Sequence, residues 1–366
     1  MRLLNKEKLK DNIEKIARYD LDNNNLFGSA YYVWQNGDVV YKNNFGDAKI
    51  DTIYRLASMT KPVTAIAILI LVERNLVSLN DPVSKFLPQF RNIHIVTLEG
   101  VDLGKTKTEA TILHCLTHTS GFGSERQINL SDNERATKEN TLKRYIDEGL
   151  EFEPFTKEAY SGCAAFDVLA AIVEKVTGMS YDEFLKKEIF EPCGMKDTTF
   201  SPSEEQWERF ITLHDKKDGR SIVGESTEGC VFINFPCGHK PAGAGLASTL
   251  DDYAKFSKML LNKGKTPNGR ILSEDMFNKI SVPYVPESIM PGNESWGLGV
   301  RVIRDESYKV LPEGAFGWSG YYGSHFWIDP ENKICAVFMK NSLVDGGAEN
   351  NSAVRFENAV FEALEK

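Results

Sequence analysis

Between Tyr54 and Val72 the chain reads Tyr-Arg-Leu-Ala-Ser-Met-Thr-Lys-Pro-Val-Thr-Ala-Ile-Ala-Ile-Leu-Ile-Leu-Val, and no other stretch limits the fold so strongly. Val63, Ile66, Ile68, Leu69, Ile70, Leu71 and Val72 leave no polar face, so the pattern predicts a helix buried on every side. Such a helix needs protein all round it, and 366 residues suffice, either as one large domain or as two interleaved lobes. Pro62 is tolerated only in a first turn, which places the helix start near Ser58. Ser58 and Lys61 then share one face at the helix mouth, with the hydroxyl at the positive end of the helix dipole. A desolvated lysine releases its proton more readily than one in water, so Lys61 is a candidate base for a Ser58 nucleophile. The plainer reading makes Ser58 a helix cap and Lys61 a first-turn lysine reaching solvent, which suits most isolated S-x-x-K sequences.

Net charge and cysteine placement narrow the function classes. A formal charge of −9 lacks the basic balance of a nucleic-acid footprint and disfavours strongly anionic partners. Charges interrupt the first ten residues, so the chain is not expected to carry a secretory signal there, and a cytoplasmic location is the expectation. The apolar run from Ala65 to Val72 is about half of the ~20 residues a membrane span needs. Six cysteines (Cys115, Cys163, Cys193, Cys230, Cys237, Cys335) show no C-x-x-C and several stand in apolar contexts, which points to buried free thiols in a reducing compartment. Cys230, Cys237 and His239 have no fourth partner at zinc spacing, so no metal site is expected.

Along the chain, Leu9, Ile13 and Ile16 repeat at helical spacing, and Ala30–Gln35 and Asp38–Lys42 read as strands joined by Asn36-Gly37, a type I′ hairpin signal. Helices are predicted around 111–121, 141–150, 164–176, 181–190 and 251–262, and residues 123–135 as a polar surface flap. Charged, Gly/Pro-punctuated 201–224 reads as an excursion from the core. Period two returns at Leu298–Ile303, at the aromatic, Gly-rich 317–328 and at Ile334–Met339, before a final amphipathic helix carrying Ala353, Phe356, Val360 and Leu364. No βαβ alternation is visible. The expected fold class is α+β: an antiparallel sheet built from N- and C-terminal segments, flanked by terminal helices, with a mostly helical lobe inserted. A single catalytic domain over 1–366 would comprise an α/β lobe at about 1–57 and 265–366 and a helical lobe at about 58–264, with the Ser58 stretch at their joint.

Ser58-Met-Thr-Lys61, Tyr160-Ser161-Gly162 and Gly317-Trp318-Ser319-Gly320, in that order, resemble the three signature boxes of serine β-lactamase-fold hydrolases. The class C β-lactamase and family VIII carboxylesterase branch, close to the penicillin-binding proteins, matches best. Leu79–Pro88, Thr111–Gly121 and Gly243–Thr249 resemble the same family, and the similarity runs from about Gly28 to Asn341. The resemblance implies that Ser58 attacks an acyl carbon, that Lys61 and Tyr160 move its proton, and that the backbone N–H groups of Ser58 and Tyr321 form an oxyanion hole. It also implies substrate-binding roles for Gly162, Trp318, Ser319 and Gly320. His118 and His325 are further possible bases, but a histidine in an apolar context is more often structural. A Ser-His-Asp hydrolase of the α/β-hydrolase kind is disfavoured, because no G-x-S-x-G occurs.

Two departures from the family pattern bear on substrate. Gly162 stands where penicillin-recognising relatives carry Asn, removing a carboxamide that would hold an amide. Trp318-Ser319-Gly320 stands in place of Lys-Thr-Gly, removing a cation that would meet a carboxylate. The expected activity is therefore a serine carboxylesterase acting on small neutral esters through an acyl-enzyme, with aromatic contacts from Trp318, Tyr321 and Tyr322. Competing expectations are an amide hydrolase of the β-lactamase or D-amino-acid peptidase type, an acyltransferase, and a non-catalytic binding protein of the same fold. No cofactor is implied, since side chains alone can activate the nucleophile. The expected partner is a small-molecule ester or amide, and nothing in the sequence speaks to oligomeric state.

Overall fold

A computed structural model describes residues 1–123, 137–224, 239–347 and 350–365. Most of the flap expected at 123–135, and Cys230 and Cys237, lie outside the described residues. The framework is a seven-stranded sheet into which both ends of the chain are woven. Helix α1 (Lys6–Asp22) precedes strands β1 (Gly28–Gln35) and β2 (Asp38–Gly46). Asn36 and Gly37 both take positive φ, as the type I′ turn between them requires. Strand β3 (Ile53–Arg55) leads through a 3-10 turn (Ala57–Thr60) into α2 (Lys61–Glu73). The helical middle includes α3 (Ile112–Leu116), α4 (Lys138–Glu148) and α5 (Ala164–Thr177). Strand β4 (Ala247–Thr249), which pairs with β3, and α6 (Leu250–Leu261) bring the chain back to the sheet. Strands β5 (Glu294–Trp296), β6 (Arg301–Ile303), β7 (Phe316–Ser319), β8 (His325–Asp329) and β9 (Ile334–Lys340) follow, then α7 (Asn351–Glu362). The strand order is β5-β6-β7-β8-β9-β1-β2, every neighbouring pair antiparallel.

Strand β9 shows why the middle of this sheet is buried on both faces. Cys335, Val337 and Met339 join the core shared with α2, α5 and α6, while Ile334, Ala336 and Phe338 join a second core under α1 and α7. A pleated strand sends successive side chains to opposite faces, so an unbroken apolar run is what a strand between two cores demands. Tyr31, on β1, stacks on Phe338 with ring centroids 4.7 Å apart and meets Phe356 of α7 at 5.2 Å. On the opposite face the Tyr253 ring of α6 lies 5.1 Å from Phe326. Thus α6 covers the sheet, although its residues fall within the stretch expected to form the helical lobe. Helix α2 is buried from Lys61 to Leu71. Its first turn departs from the expected start at Ser58: the serine sits in the 3-10 turn, and Lys61 opens the α-helix.

Candidate active site

Lys61 does not reach solvent. Its side chain is fully buried, and its three donors are used within the protein: Nζ lies 2.6 Å from the carbonyl of Gly162, 2.9 Å from that of Gly243 and 3.3 Å from Ser58 Oγ. No carboxylate pairs with it among the described residues. The ammonium also stands 4.8 Å above the Tyr160 ring and 5.1 Å above that of Phe166. A lysine held this deep without a counter-ion costs stability, which points to a use for it here. Ser58 is half-buried and does not cap the helix; its hydroxyl faces Lys61 instead.

The turn that presents Ser58 is strained and tightly backed. Ala57 takes φ +45°, in the left-handed region. Gly320 closes against this turn so tightly that a Cβ on it would lie 2.4 Å from the Leu56 carbonyl oxygen. Gly243 is confined in the same way, its Cβ position 2.5 Å from the Gly162 oxygen. Strand β7 therefore ends directly over the Ser58 turn, and Tyr321 follows it. Neither the Ser58 N–H nor the Tyr321 N–H donates to a protein acceptor among the described residues.

Tyr160 enters from the loop before α5. Its phenol oxygen accepts a hydrogen bond from Trp318 Nε1 at 3.1 Å, and its ring lies 5.4 Å from the indole of Trp318. These residues open into one cleft of about 440 Å³, which Ser58, Tyr160, Trp318, Ser319 and Tyr321 line together. Gly162 gives its carbonyl to Lys61 and is not among the residues that line the cleft. Tyr322 turns away and is buried with Ala57 and Leu213, so of the expected aromatic contacts it is the one that cannot face a ligand in this cleft.

Both histidines weighed as bases are positioned elsewhere. His118 is fully buried, and its Nδ1 accepts the backbone N–H of Ser161 at 3.0 Å. Burial, and then the charge of Lys61, push its imidazole well below the usual histidine range, so it is neutral and braces the Tyr160–Gly162 segment. His325 bonds Ser319 and Glu357. His239 bonds Asp167 at 3.0 Å, away from the cleft.

Sequence reasoning did not find Glu158, Glu294, Trp296 and Arg301, which complete the cleft wall. They come from a loop and from the short strands β5 and β6, with no spacing tying them to Ser58. Trp296 Nε1 donates to Glu158 at 2.8 Å, and Arg301 reaches Glu294 at 3.1 Å. The anchoring role of the Gly243 carbonyl was equally hidden, because a backbone oxygen carries no residue signature.

Comparison with known proteins finds likeness along most of the chain. The family model described as beta-lactamase matches residues 13–359. Esterase EstB of Burkholderia gladioli is 28% identical over 360 residues, covering 88% of this chain and 87% of that protein. Penicillin-binding protein 4* of Bacillus subtilis strain 168 is 32% identical over 361 residues, covering 93% of this chain and 72% of the relative. Among solved structures, that of EstCE1, a hydrolase with promiscuous acyltransferase activity, shares the fold with a TM-score of 0.81, over 97% of this chain and 99% of its own, at 22% identity. A match spanning nearly every element from α1 to α7 leaves one assignment: the chain belongs to the beta-lactamase family of serine hydrolases.

Proposed function

We propose that the protein is a carboxylesterase that hydrolyses small neutral esters through an acyl intermediate on Ser58. One observation carries the reading: two backbone carbonyls and one hydroxyl surround Lys61 Nζ. In the neutral amine, the two N–H bonds remain on Gly162 and Gly243, and the lone pair is left pointing at Ser58 Oγ. Lys61 is then the base that takes the Ser58 proton as Oγ attacks the ester carbon. The N–H groups of Ser58 and Tyr321 receive the oxygen that becomes negative, and such donors are typically worth ~3 kcal/mol each. Tyr160, within the same cleft and oriented by Trp318, passes a proton to the departing alcohol. Water enters by the reverse route and releases the acid.

Ester rather than amide cleavage is favoured by the surroundings of Gly162. It has no side chain to hold a substrate amide, and its carbonyl is taken by Lys61. The relatives named as an esterase and as a penicillin-binding protein keep both activities in view. Intact-mass spectrometry after exposure to a fluorophosphonate should show one adduct, mapped to the Ser58 peptide. Ser58→Ala should abolish it and lower p-nitrophenyl butyrate hydrolysis by roughly 10³–10⁶-fold, and Lys61→Ala should lower it by ~10²–10⁴-fold, with Tm readings showing both folded. Turnover of a chromogenic cephalosporin or a D-alanyl anilide without ester turnover would replace the esterase reading. Absence of any adduct would leave a non-catalytic protein.

A further inference from the structure

Ser319 ends strand β7 at the cleft, and the groups behind it decide which way its hydroxyl proton points. Its cross-strand partner is His325 on β8, with Oγ 2.8 Å from Nδ1. The other ring nitrogen, Nε2, lies 2.9 Å from Glu357 Oε1 on α7. Arg301 reaches the same carboxylate oxygen at 2.6 Å, and the Tyr308 hydroxyl donates to Oε2 at 2.8 Å. Ser319, His325, Glu357 and Arg301 are all buried.

The proton positions follow from this order. Burial alone would raise the Glu357 carboxyl, but the charge of Arg301 and then the hydrogen bond from His325 outweigh it and bring the group down to about 2, so it is an acceptor only. Nε2 of His325 must therefore carry a hydrogen. Burial holds the His325 imidazole below its ordinary value against the pull of Glu357, whose charge Arg301 already meets. The ring is neutral and its Nδ1 is bare, so the Ser319 O–H donates to it. Ser319 lines the cleft, and with its proton on His325 its oxygen has only lone pairs to offer a ligand there.

We infer that Ser319 is a specificity-determining acceptor, its polarity set by the buried His325–Glu357–Arg301 file, and that the cleft selects esters bearing a hydrogen-bond donor, above all an ammonium group, and rejects those bearing a carboxylate. The inference rests on the acyl-Ser58 reading and refines the expected neutral substrate. The rest of the wall has the same bias. Glu158 and Glu294 bring two carboxylates to it, and the guanidinium of Arg301 is already shared between Glu294 and Glu357. Trp318 and the exposed Tyr321 ring add aromatic surface, which attracts a cation.

Arylboronic acids, which add reversibly to a nucleophilic serine, test this without depending on turnover of an unidentified substrate. Inhibition constants would be measured against p-nitrophenyl butyrate hydrolysis for the 3-aminomethyl, 3-methyl and 3-carboxy phenylboronic acids. The aminomethyl compound should bind most tightly and the carboxy compound least, with about a tenfold gap between them. Ser319→Ala should shrink that gap to about threefold or less, and Ser319→Thr, which keeps the hydroxyl, should preserve it. Ratios of inhibition constants report this even where a variant lowers overall activity, and equal Tm values show that the comparison is between folded proteins. Binding of all three with no order, a carboxy compound as tight as the aminomethyl one, or a gap unchanged in Ser319→Ala would overturn the inference and leave the acyl-enzyme reading standing. Binding of none, together with no fluorophosphonate adduct, would remove both.

Discussion

Ala57 and Gly320 hold Ser58 from two sides, and each does so with backbone geometry that a side-chain inventory misses. An alanine at φ +45° gives up about 1–2 kcal/mol relative to a relaxed conformation, and surrounding packing must hold it there. Gly320 supplies part of that packing through its contact with Leu56. Adding a methyl group at Gly320 should therefore push the end of β7 away from the turn and separate the Tyr321 N–H from the Ser58 N–H. Gly320→Ala is expected to lower kcat for p-nitrophenyl butyrate by roughly 10–10³-fold with a smaller change in KM, as loss of an oxyanion donor would. An unchanged kcat would show that the two N–H groups do not act together. Ser58 and Lys61 were legible because a three-residue spacing fixes two side chains on one face. Trp318 and Tyr160 were legible only through resemblance to a family, since nothing in their local sequence links them. Glu357, bonded to Arg301 of the cleft wall and to His325 behind it, lies on a helix whose pattern reads as an ordinary amphipathic one.

Elements follow the hydrophobic pattern where burial is uniform and depart from it where backbone contacts end them. Helix α2 and strand β9 were both plain in the sequence, the first for its lack of any polar face, the second as an apolar run of strand length. The 3-10 turn before α2 was not, since the close packing of Gly320 on the Leu56 carbonyl comes from a segment more than 250 residues away. Likewise the aromatic, Gly-rich 317–328 divides into β7 and β8 at the turn where the Gly320 N–H donates to Ser324 and the Gly323 N–H to Gly320. Because α2 is surrounded, truncating its far side should cost stability without touching the cleft. Leu69 is fully buried two turns beyond Lys61, and Leu69→Ala is expected to destabilise the fold by about 2–5 kcal/mol. Urea unfolding would give that value, and a loss under 1 kcal/mol would mean that the helix is less enclosed than its burial shows.

At the scale of the molecule, the fold is closed by joining its ends. Leu4 bridges Leu364, the Asn5 N–H donates to Ala363, and β1 lies between β2 and β9. The architecture was foreseeable from strands at both ends and helices between, whereas the placement of α6 on the sheet was not, since an amphipathic helix does not say which apolar face it will meet. Glu357 adds an electrostatic clasp, tying α7 to β6 through Arg301 and to β8 through His325. Its carboxyl is held at about 2 against an ordinary 4.5. The stabilisation from its charge is therefore fully present above about pH 4.5 and is lost as the pH falls toward 2. Glu357→Gln should lower the urea midpoint at pH 7, by leaving Arg301 buried with one partner fewer, and should narrow the difference between pH 6 and pH 3. A pH dependence identical to that of the unaltered protein would show that the clasp contributes nothing. The weave of β1 against β9 has a consequence in time as well. The serine and its lysine leave the ribosome nearly 260 residues before Trp318 and Ser319, and the strands that frame the cleft, β5, β6 and β7, can join β1 and β2 in one sheet only through β8 and β9. The two halves of the cleft are thus held in one frame only once β9 has tied β8 to β1.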